Sequence, residues 1–281
     1  MTAREQVGGT PSTTSADGGV LLSARGIVRG FGRGRGRAEV LHGVDCDVRA
    51  GECLAIIGGS GSGKSTLTRI LAGLDAADAG EVTYRGMPVR RRQPGLRALR
   101  RDCGLVFQDP HGSLDPRWTV GRSVAEPLEL RRRNRVEGDD GDARDGGDLT
   151  GRVAHALQTV GLDPDVFLTR IPRDLSGGQA QRVAIARAIV ANPRIVFADE
   201  PMSAIDTAAR LRILDAFAAI RAARPEMALV MVSHDLGVVQ HLADRILVLQ
   251  EGRVTETGAI AQVLRHPQTA YTRSLIDAAS L

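Results

Sequence analysis

The stretch from Cys53 to Thr66 constrains this chain more than any other. Five apolar residues, Cys53-Leu54-Ala55-Ile56-Ile57, run into Gly58-Gly59-Ser60-Gly61-Ser62-Gly63-Lys64-Ser65 and then Thr66. The apolar run is too short for a helix and reads as a buried strand, whereas Leu67, Ile70 and Leu71 have helical spacing until Gly73 ends it. Between strand and helix lies the pattern G-x-x-x-x-G-K-S. Its glycines let the backbone curl through unusual dihedrals, so that successive N–H groups reach phosphate oxygens. The helix that follows adds the positive end of its dipole to the same anion. In such a loop Lys64 bridges the β- and γ-phosphates, the Ser65 hydroxyl takes one place on Mg²⁺, and Thr66 adds a phosphate contact. Among the 37 lysines and arginines of the chain, Lys64 is the only lysine. A planar guanidinium does not replace a compact ammonium inside a glycine cradle, which argues against a Gly/Ser linker that merely contains a lysine.

At 281 residues the chain can bury a real core as one large domain, with or without a sub-domain. Aromatics make up only 3% of it, which weakens any case for a base-stacking nucleic-acid binder. The net charge of +4 is spread over alternating arginines and acids, so it reads as a solvated surface, and no nucleic-acid partner is expected. Cys46, Cys53 and Cys103 lack metal-ligand spacing and have apolar neighbours, which suggests buried thiols in a reducing compartment. Met1 to Gly19 is polar and small, with no secretory signal, and is expected to be a disordered tail. No run approaches the roughly 18 apolar residues of a membrane helix.

Beyond that tail, Val20–Val28 and Glu39–Val48 are strand-like, with a Gly-Arg loop over Arg29–Arg37 that holds one aromatic, Phe31. Gly80–Tyr84 reads as a strand, Arg90–Arg101 as a basic helical patch, and Cys103–Phe107 as a buried strand that runs into Gln108-Asp109-Pro110. Helical patterns follow at Val120–Leu130 and Leu149–Val160, separated by Arg131–Asp148, a nearly apolar-free segment expected to be a flexible insertion. The whole helical subdomain is expected at about 87–173. Strands then alternate with helices again. Leu175-Ser176-Gly177-Gly178-Gln179 opens a helix to about Ala191, Ile195–Ala198 is a strand, Asp206–Ala223 a helix, Ala228–Val232 a strand, and Arg245–Leu249 with Arg253–Glu256 a hairpin. This rhythm predicts an α/β fold with a largely parallel sheet, whose ligands sit at the carboxyl ends of the strands.

The polar residues at those ends carry the expected chemistry. Asp199 follows four apolar residues, where it can hold Mg²⁺ through water, and Glu200 is placed to polarise a water for in-line attack on the γ-phosphate. The Gln108 amide can touch both the metal and the attacking water. His234 ends a third strand and can bond the γ-phosphate or orient Glu200. A second glycine-rich helix start, Ser176-Gly177-Gly178, offers N–H groups and a hydroxyl to another anion. Two phosphates in one protomer would explain it; a head-to-tail dimer, in which each protomer completes the other's site, explains it better.

With this combination the chain resembles the nucleotide-binding subunit of ABC transporters over nearly all of Val20–Leu281. The resemblance implies an ABC-type P-loop NTPase fold: a parallel-sheet core, an antiparallel β subdomain and a helical subdomain. In that pattern Gly58–Ser65 resembles the Walker A loop and Ile195–Asp199 the Walker B strand. Glu200 is similar to the catalytic base, Gln108 to the Q-loop glutamine and His234 to the switch histidine. Leu175–Gln179 resembles the family signature, Gln179 included, and Ser203-Ala204-Ile205-Asp206 the D-loop. Phe31 stands where the family stacks an aromatic on adenine, usually tyrosine.

Two stretches, Phe107–Arg117 and His266–Leu275, resemble segments of the dipeptide, oligopeptide and nickel importer ATPases, with mild departures at His111 and Asp115. No cysteine-bearing tail follows, so no iron–sulfur site is expected, and peptide versus nickel stays open. The resemblance implies ATP and Mg²⁺ and a second ATP-binding subunit, identical or homologous. It also implies two transmembrane permease subunits, an indirect extracytoplasmic solute-binding protein, and a peripheral place on the cytoplasmic face of the membrane. The alternatives are a soluble ABC ATPase acting on DNA or ribosomes, and a phosphate-loop kinase, which would leave Leu175–Gln179 and His234 without a role.

Overall fold

A computed structural model of the chain describes residues 19–32, 34–133, 148–203 and 205–279. Two sheets organise them. The first is antiparallel, in the order β2-β1-β4-β5, from β1 (Val20–Phe31), β2 (Ala38–Arg49), β4 (Ala79–Tyr84) and β5 (Met87–Pro88). The second comprises β3 (Cys53–Ile57), β6 (Cys103–Val106), β7 (Ile195–Asp199), β8 (Ala228–Val232), β9 (Arg245–Gln250) and β10 (Arg253–Ala259), in the order β10-β9-β3-β8-β7-β6. All its neighbours are parallel except the β9–β10 hairpin.

The continuous apolar runs of β3, β7 and β8 are explained by what covers each face. Cys53, Ala55 and Ile57 of β3, with Val196, Ala198, Leu229 and Met231, join a core shared with the helices. Their alternates, Leu54, Ile56, Ile195, Phe197, Val230 and Val232, join a second core made with the antiparallel sheet and α1 (Lys64–Leu71).

The helical side holds α3 (Pro110–Ser113), α4 (Val120–Arg133), α5 (Leu149–Thr159), α6 (Pro164–Phe167) and α7 (Gly177–Ile189). In α7 ten of thirteen residues are buried, because it packs against α3, α4, α5 and β6 at once. The expected start of this block near residue 87 is corrected. Met87–Pro88 pairs with β4, α2 (Pro94–Asp102) lies on β4 and β5 with Leu99 in the second core, and β6 is the edge of the parallel sheet. The helices of this block, α3 onward, come only after Val106. The carboxyl half of the chain adds α8 (Thr207–Ala223), α9 (Leu236–Leu242), α10 (Ile260–Arg265) and α11 (Ala270–Ala279).

The Gly-Arg run is less of a loop than expected. Strand β1 continues through Phe31, which pairs with Ala38, and a short 3-10 turn covers Gly34–Gly36. Asp78 accounts for the difference: its carboxylate accepts the Gly30 N–H at 2.7 Å, Arg29 at 2.9 Å and Arg37 at 2.8 Å, so the arginines staple the hairpin. The tail expected over Met1–Gly19 lies outside the described residues except for Gly19. The insertion expected over Arg131–Asp148 does so except at its ends, where Arg131–Arg133 finish α4 and Asp148 caps α5 by accepting the Thr150 N–H at 3.0 Å.

Candidate nucleotide-binding and catalytic site

The loop between β3 and α1 is shaped by neighbours as much as by its own sequence. Gly58, Gly61 and Gly63 have φ of 153°, 75° and 102°. A Cβ on Gly58 would stand 2.0 Å from the Leu249 carbonyl oxygen, and one on Gly63 would stand 2.8 Å from Leu41 Cδ2 and 3.0 Å from the Val40 oxygen. Ser60 and Gly61 form an exposed crest, Gly59 and Thr66 are half-buried, and Ser62, Gly63 and Lys64 lie beneath. Lys64 folds back so that Nζ donates to the carbonyls of Gly58 at 2.9 Å and Gly59 at 2.8 Å. Burial pushes its ammonium below the ordinary value, opposed by the carboxylates of Glu200 and Asp199. The Gly59 N–H donates to the Tyr271 hydroxyl at 2.7 Å.

Three observations fit this loop to a phosphate chain. No side chain caps α1, so its first-turn N–H groups have no side-chain acceptor. The Ser62 Oγ is buried without a partner. Among the described residues the Lys64 ammonium donates only to the carbonyls of its own loop.

Strands β6, β7 and β8 deliver the other groups. Ser65 Oγ donates to Asp199 Oδ1 at 3.3 Å, joining a hydroxyl to a carboxylate in the oxygen set that suits Mg²⁺. Among the described residues no cluster of three His, Cys, Asp or Glu could hold a metal alone, so the remaining ligands would have to be phosphate and water oxygens. Burial raises the Asp199 carboxyl above its ordinary value, as does Glu200 beside it, while Ser65, Lys64 and Arg69 oppose the shift. Glu200 is the next residue, at φ 45°, with its N–H donated to Val232 O of β8 at 3.0 Å. Gln108 Nε2 donates to Glu200 Oε2 at 3.3 Å, and His234 Nδ1 lies 3.5 Å from Glu200 Oε1. Gln108, expected to touch both the metal and the attacking water, thus reaches Glu200, and among the described residues no hydrogen bond joins it to Ser65 or Asp199. Three strand ends thus converge on one carboxylate, beside which lies the exposed imidazole of His234.

Phe31 is 46% exposed, with the Arg29 guanidinium 5.0 Å from its ring centroid. Its partner in the ladder, Ala38, is two residues from Val40, whose carbonyl borders Gly63, so the hairpin carries this aromatic beside the loop.

The second glycine-rich helix start has a different character. Ser176 Oγ accepts the Gln179 N–H at 3.3 Å and Gln179 Oε1 accepts the Ser176 N–H at 3.0 Å, a complete capping box on α7. Gly177 is open to solvent, whereas a Cβ on Gly178 would stand 2.6 Å from that of Ala209 on α8. Gly178 is thus a glycine because two helices cross there. Asp206 caps α8 by accepting the Ala209 N–H at 2.9 Å, and Ala204 lies outside the described residues. Among the described residues no hydrogen bond or ion pair joins 175–179 to 58–66.

Residues 41–203 match the sequence pattern of a family described as ABC transporter, which covers more than half of the chain. The chain belongs to the ABC transporter family. It is 40% identical over 242 residues to the peptidoglycan transport ATP-binding protein YejF of Agrobacterium fabrum, covering 86% of this chain and 42% of that protein. It is 38% identical over 273 residues to the glutathione import ATP-binding protein GsiA of Escherichia coli, covering 94% of this chain and 42% of that one. The chain thus spans less than half the length of these ABC transporter relatives. Among solved structures, a dimeric post-hydrolysis state of the ATP-binding cassette MJ0796 with ADP and Pi superposes with a TM-score of 0.73 at 30% identity, over 85% of this chain and 99% of that one. The cbiO1 subunit of Clostridium perfringens, part of the transporter complex cbiONQ, gives 0.72 at 26% identity, over 88% and 91%. Both neighbours are cassettes of ABC transporters, and they support the same arrangement of parallel core, antiparallel sheet and helical block. Among the described residues no helix is long and apolar enough to cross a membrane.

Reading the sequence alone missed Tyr271 and Gln181. Tyr271 lies more than 200 positions from the glycine it touches, and its signal was that it is one of only two tyrosines. Gln181 is fully buried and donates to the Phe107 carbonyl at 3.4 Å, tying α7 to the strand end that carries Gln108. Nothing in the sequence sets it apart from the other polar residues of that helix, Gln179, Arg182 and Arg187.

Proposed function

We propose that the chain is the ATP-hydrolysing subunit of an importer for peptide-like solutes. The single observation that carries this reading is the meeting of Lys64, Ser65 and Asp199 under an uncapped helix, with Gln108 and His234 flanking Glu200 beside them. The N–H groups of Gly61 to Ser65 bind the phosphates of ATP, and Lys64 exchanges its two loop carbonyls for β- and γ-phosphate oxygens. Ser62 and Thr66 add phosphate contacts, and Phe31 stacks on the base. Ser65 and Asp199 hold Mg²⁺, which neutralises developing phosphate charge. Glu200 accepts the proton of the attacking water, Gln108 positions that water, and His234 keeps the carboxylate aligned and senses the γ-phosphate.

Ser176, Gly177 and Gln179 of a second ATP-binding subunit, identical or homologous, close the site head to tail, with Gly178 allowing their helix its position and Asp206 bordering the seam. The MJ0796 cassette, a dimer bound to ADP and Pi, supports this reading. Binding closes the pair and hydrolysis reopens it. Two permease subunits receive that motion on the cytoplasmic face of the membrane, through the helical block and the loop after Gln108. YejF is named for peptidoglycan transport and GsiA for glutathione import, which favours a peptide-like solute over nickel.

The experiment is a gentle detergent pull-down from the native membranes. Two polytopic membrane proteins and a solute-binding protein are expected to accompany the chain. Recovery of ribosomal or DNA-repair proteins in their place would overturn import and leave the ATPase.

A further inference from the structure

The stretch His266–Leu275 ends against the phosphate loop, although it lies outside the family match at 41–203. Glu256 of β10 anchors it. Its buried carboxylate accepts the Gln268 N–H at 2.9 Å, the Thr269 N–H at 3.2 Å and the Thr269 hydroxyl at 3.3 Å. Burial raises the Glu256 carboxyl, but the bonds from Thr272, Gln268 and Thr269 outweigh it and hold the group below its ordinary value. The Thr272 N–H then donates to Thr269 Oγ1 at 3.0 Å, which closes the first turn of α11. Tyr271 leaves this pinned turn with its ring, like Leu275 and Ile276, packed on the main core, and its hydroxyl reaches the Gly59 N–H at 2.7 Å.

That N–H and the Gly58 carbonyl belong to one peptide group. The carbonyl accepts from Lys64 Nζ at 2.9 Å while the N–H donates to Tyr271. In a trans amide the two point in opposite directions, so the plane is held between the chain's only lysine and α11. Both flanking residues are glycines, so neither carries a Cβ that restricts rotation of this peptide. The hydroxyl also takes up a backbone donor that points away from Lys64, which leaves the N–H groups nearer α1 as the phosphate cradle.

We propose that Tyr271 is a positioning residue for nucleotide binding. Its hydroxyl fixes the plane of the Gly58–Gly59 peptide and, through the Gly58 carbonyl, the resting place of the Lys64 ammonium. The inference rests on the nucleotide-binding reading above. A loop already ordered binds its ligand without a further entropic cost of ordering, so the hydroxyl acts on affinity and not on the chemical step.

The test is Tyr271→Phe in the full chain, which keeps the packed ring and removes one oxygen. Titration with a fluorescent ATP analogue and Mg²⁺ is expected to show affinity about two- to tenfold weaker, the loss of one neutral hydrogen bond, with kcat at saturating ATP within about a factor of two. In the nucleotide-free protein the Gly59 amide should exchange with solvent about tenfold faster, while the amides of β3 and β8 keep their protection. Glu256→Gln, which loosens the anchor and leaves Tyr271 intact, should weaken affinity in the same direction by less. Unchanged affinity, a fall in kcat at unchanged affinity, or unchanged Gly59 exchange would each overturn the proposal. If the wild-type chain binds no ATP, the nucleotide reading fails, and the Gly59 exchange rate still decides whether the hydroxyl holds this peptide.

Discussion

Two glycine-rich helix starts in this protein share a composition and little else. At the first, glycines with positive φ lead into α1, no side chain caps the helix, and a buried ammonium and an unpartnered hydroxyl lie below. At the second, Ser176 and Gln179 satisfy each other's backbone N–H groups, Gly177 is open, and Gly178 is reserved for the crossing with α8. An anion site needs donors that folding has left without partners. The first start has them within one chain, whereas the second is a finished helix end.

Lys64→Ala should lower ATP affinity on the order of a hundredfold in an equilibrium titration, because phosphate charge then meets no ammonium. Ser176→Ala should leave the affinity of the isolated chain unchanged; equal losses from both would mean that the two helix starts bind phosphate alike. Glu200→Gln should cut hydrolysis by about 10²–10⁴-fold at near-normal affinity and accumulate an ATP-bound dimer in size exclusion. Wild-type turnover in that variant would remove Glu200 from its proposed role.

Stability should divide the glycines in the same way. Gly58→Ala meets the Leu249 oxygen at 2.0 Å in a conformation that L-residues avoid, and chemical denaturation should show a loss on the order of 3 kcal/mol or more. Gly177→Ala, in open space at a helical position, should be neutral or stabilising by about 0.5 kcal/mol. Ser176→Ala removes the cap and should cost about 1 kcal/mol in the same assay.

The smallest effect concerns pH. The folded Asp199 carboxyl sits above its unfolded value, so the folded state holds the proton more tightly, and stability falls as pH rises above the ordinary carboxylate range near 4. Asp199→Asn should therefore melt slightly higher than wild type at neutral pH without nucleotide. The gain should vanish at and below about pH 4, where both states of the wild type bind the proton. A gain that persists at low pH would assign the effect to something other than ionisation.

Much of this was legible in one dimension because the relevant interactions are local. The strand, loop and helix of Cys53–Leu71 appear where spacing puts them, and Asp199, Gln108 and His234 all lie at or just beyond strand ends, as alternation of helices and strands requires. The failures were where distant partners decide. The Arg29–Arg37 run reads as a loop until Asp78 staples it into a hairpin. Residues 87–106 look like the start of a helical domain until β5 and β6 join two different sheets. The close approach of Ala209 to Gly178 joins positions 31 residues apart and has no mark in the sequence.

By itself the sequence determined where a glycine-rich strand–loop–helix unit lies, which strands are buried on both faces, and which family the motifs resemble. Those properties reside in backbone permissiveness, hydrophobic period and side-chain chemistry, each carried by a few consecutive residues. Only the tertiary structure decided that Gln108 and His234 flank one carboxylate, that the second helix start is already capped, and that α11 reaches back to the Gly58–Gly59 peptide. Hydrogen bonds depend on positions to within a few tenths of an ångström, and residues some 200 positions apart acquire such positions only through the packing of everything between them.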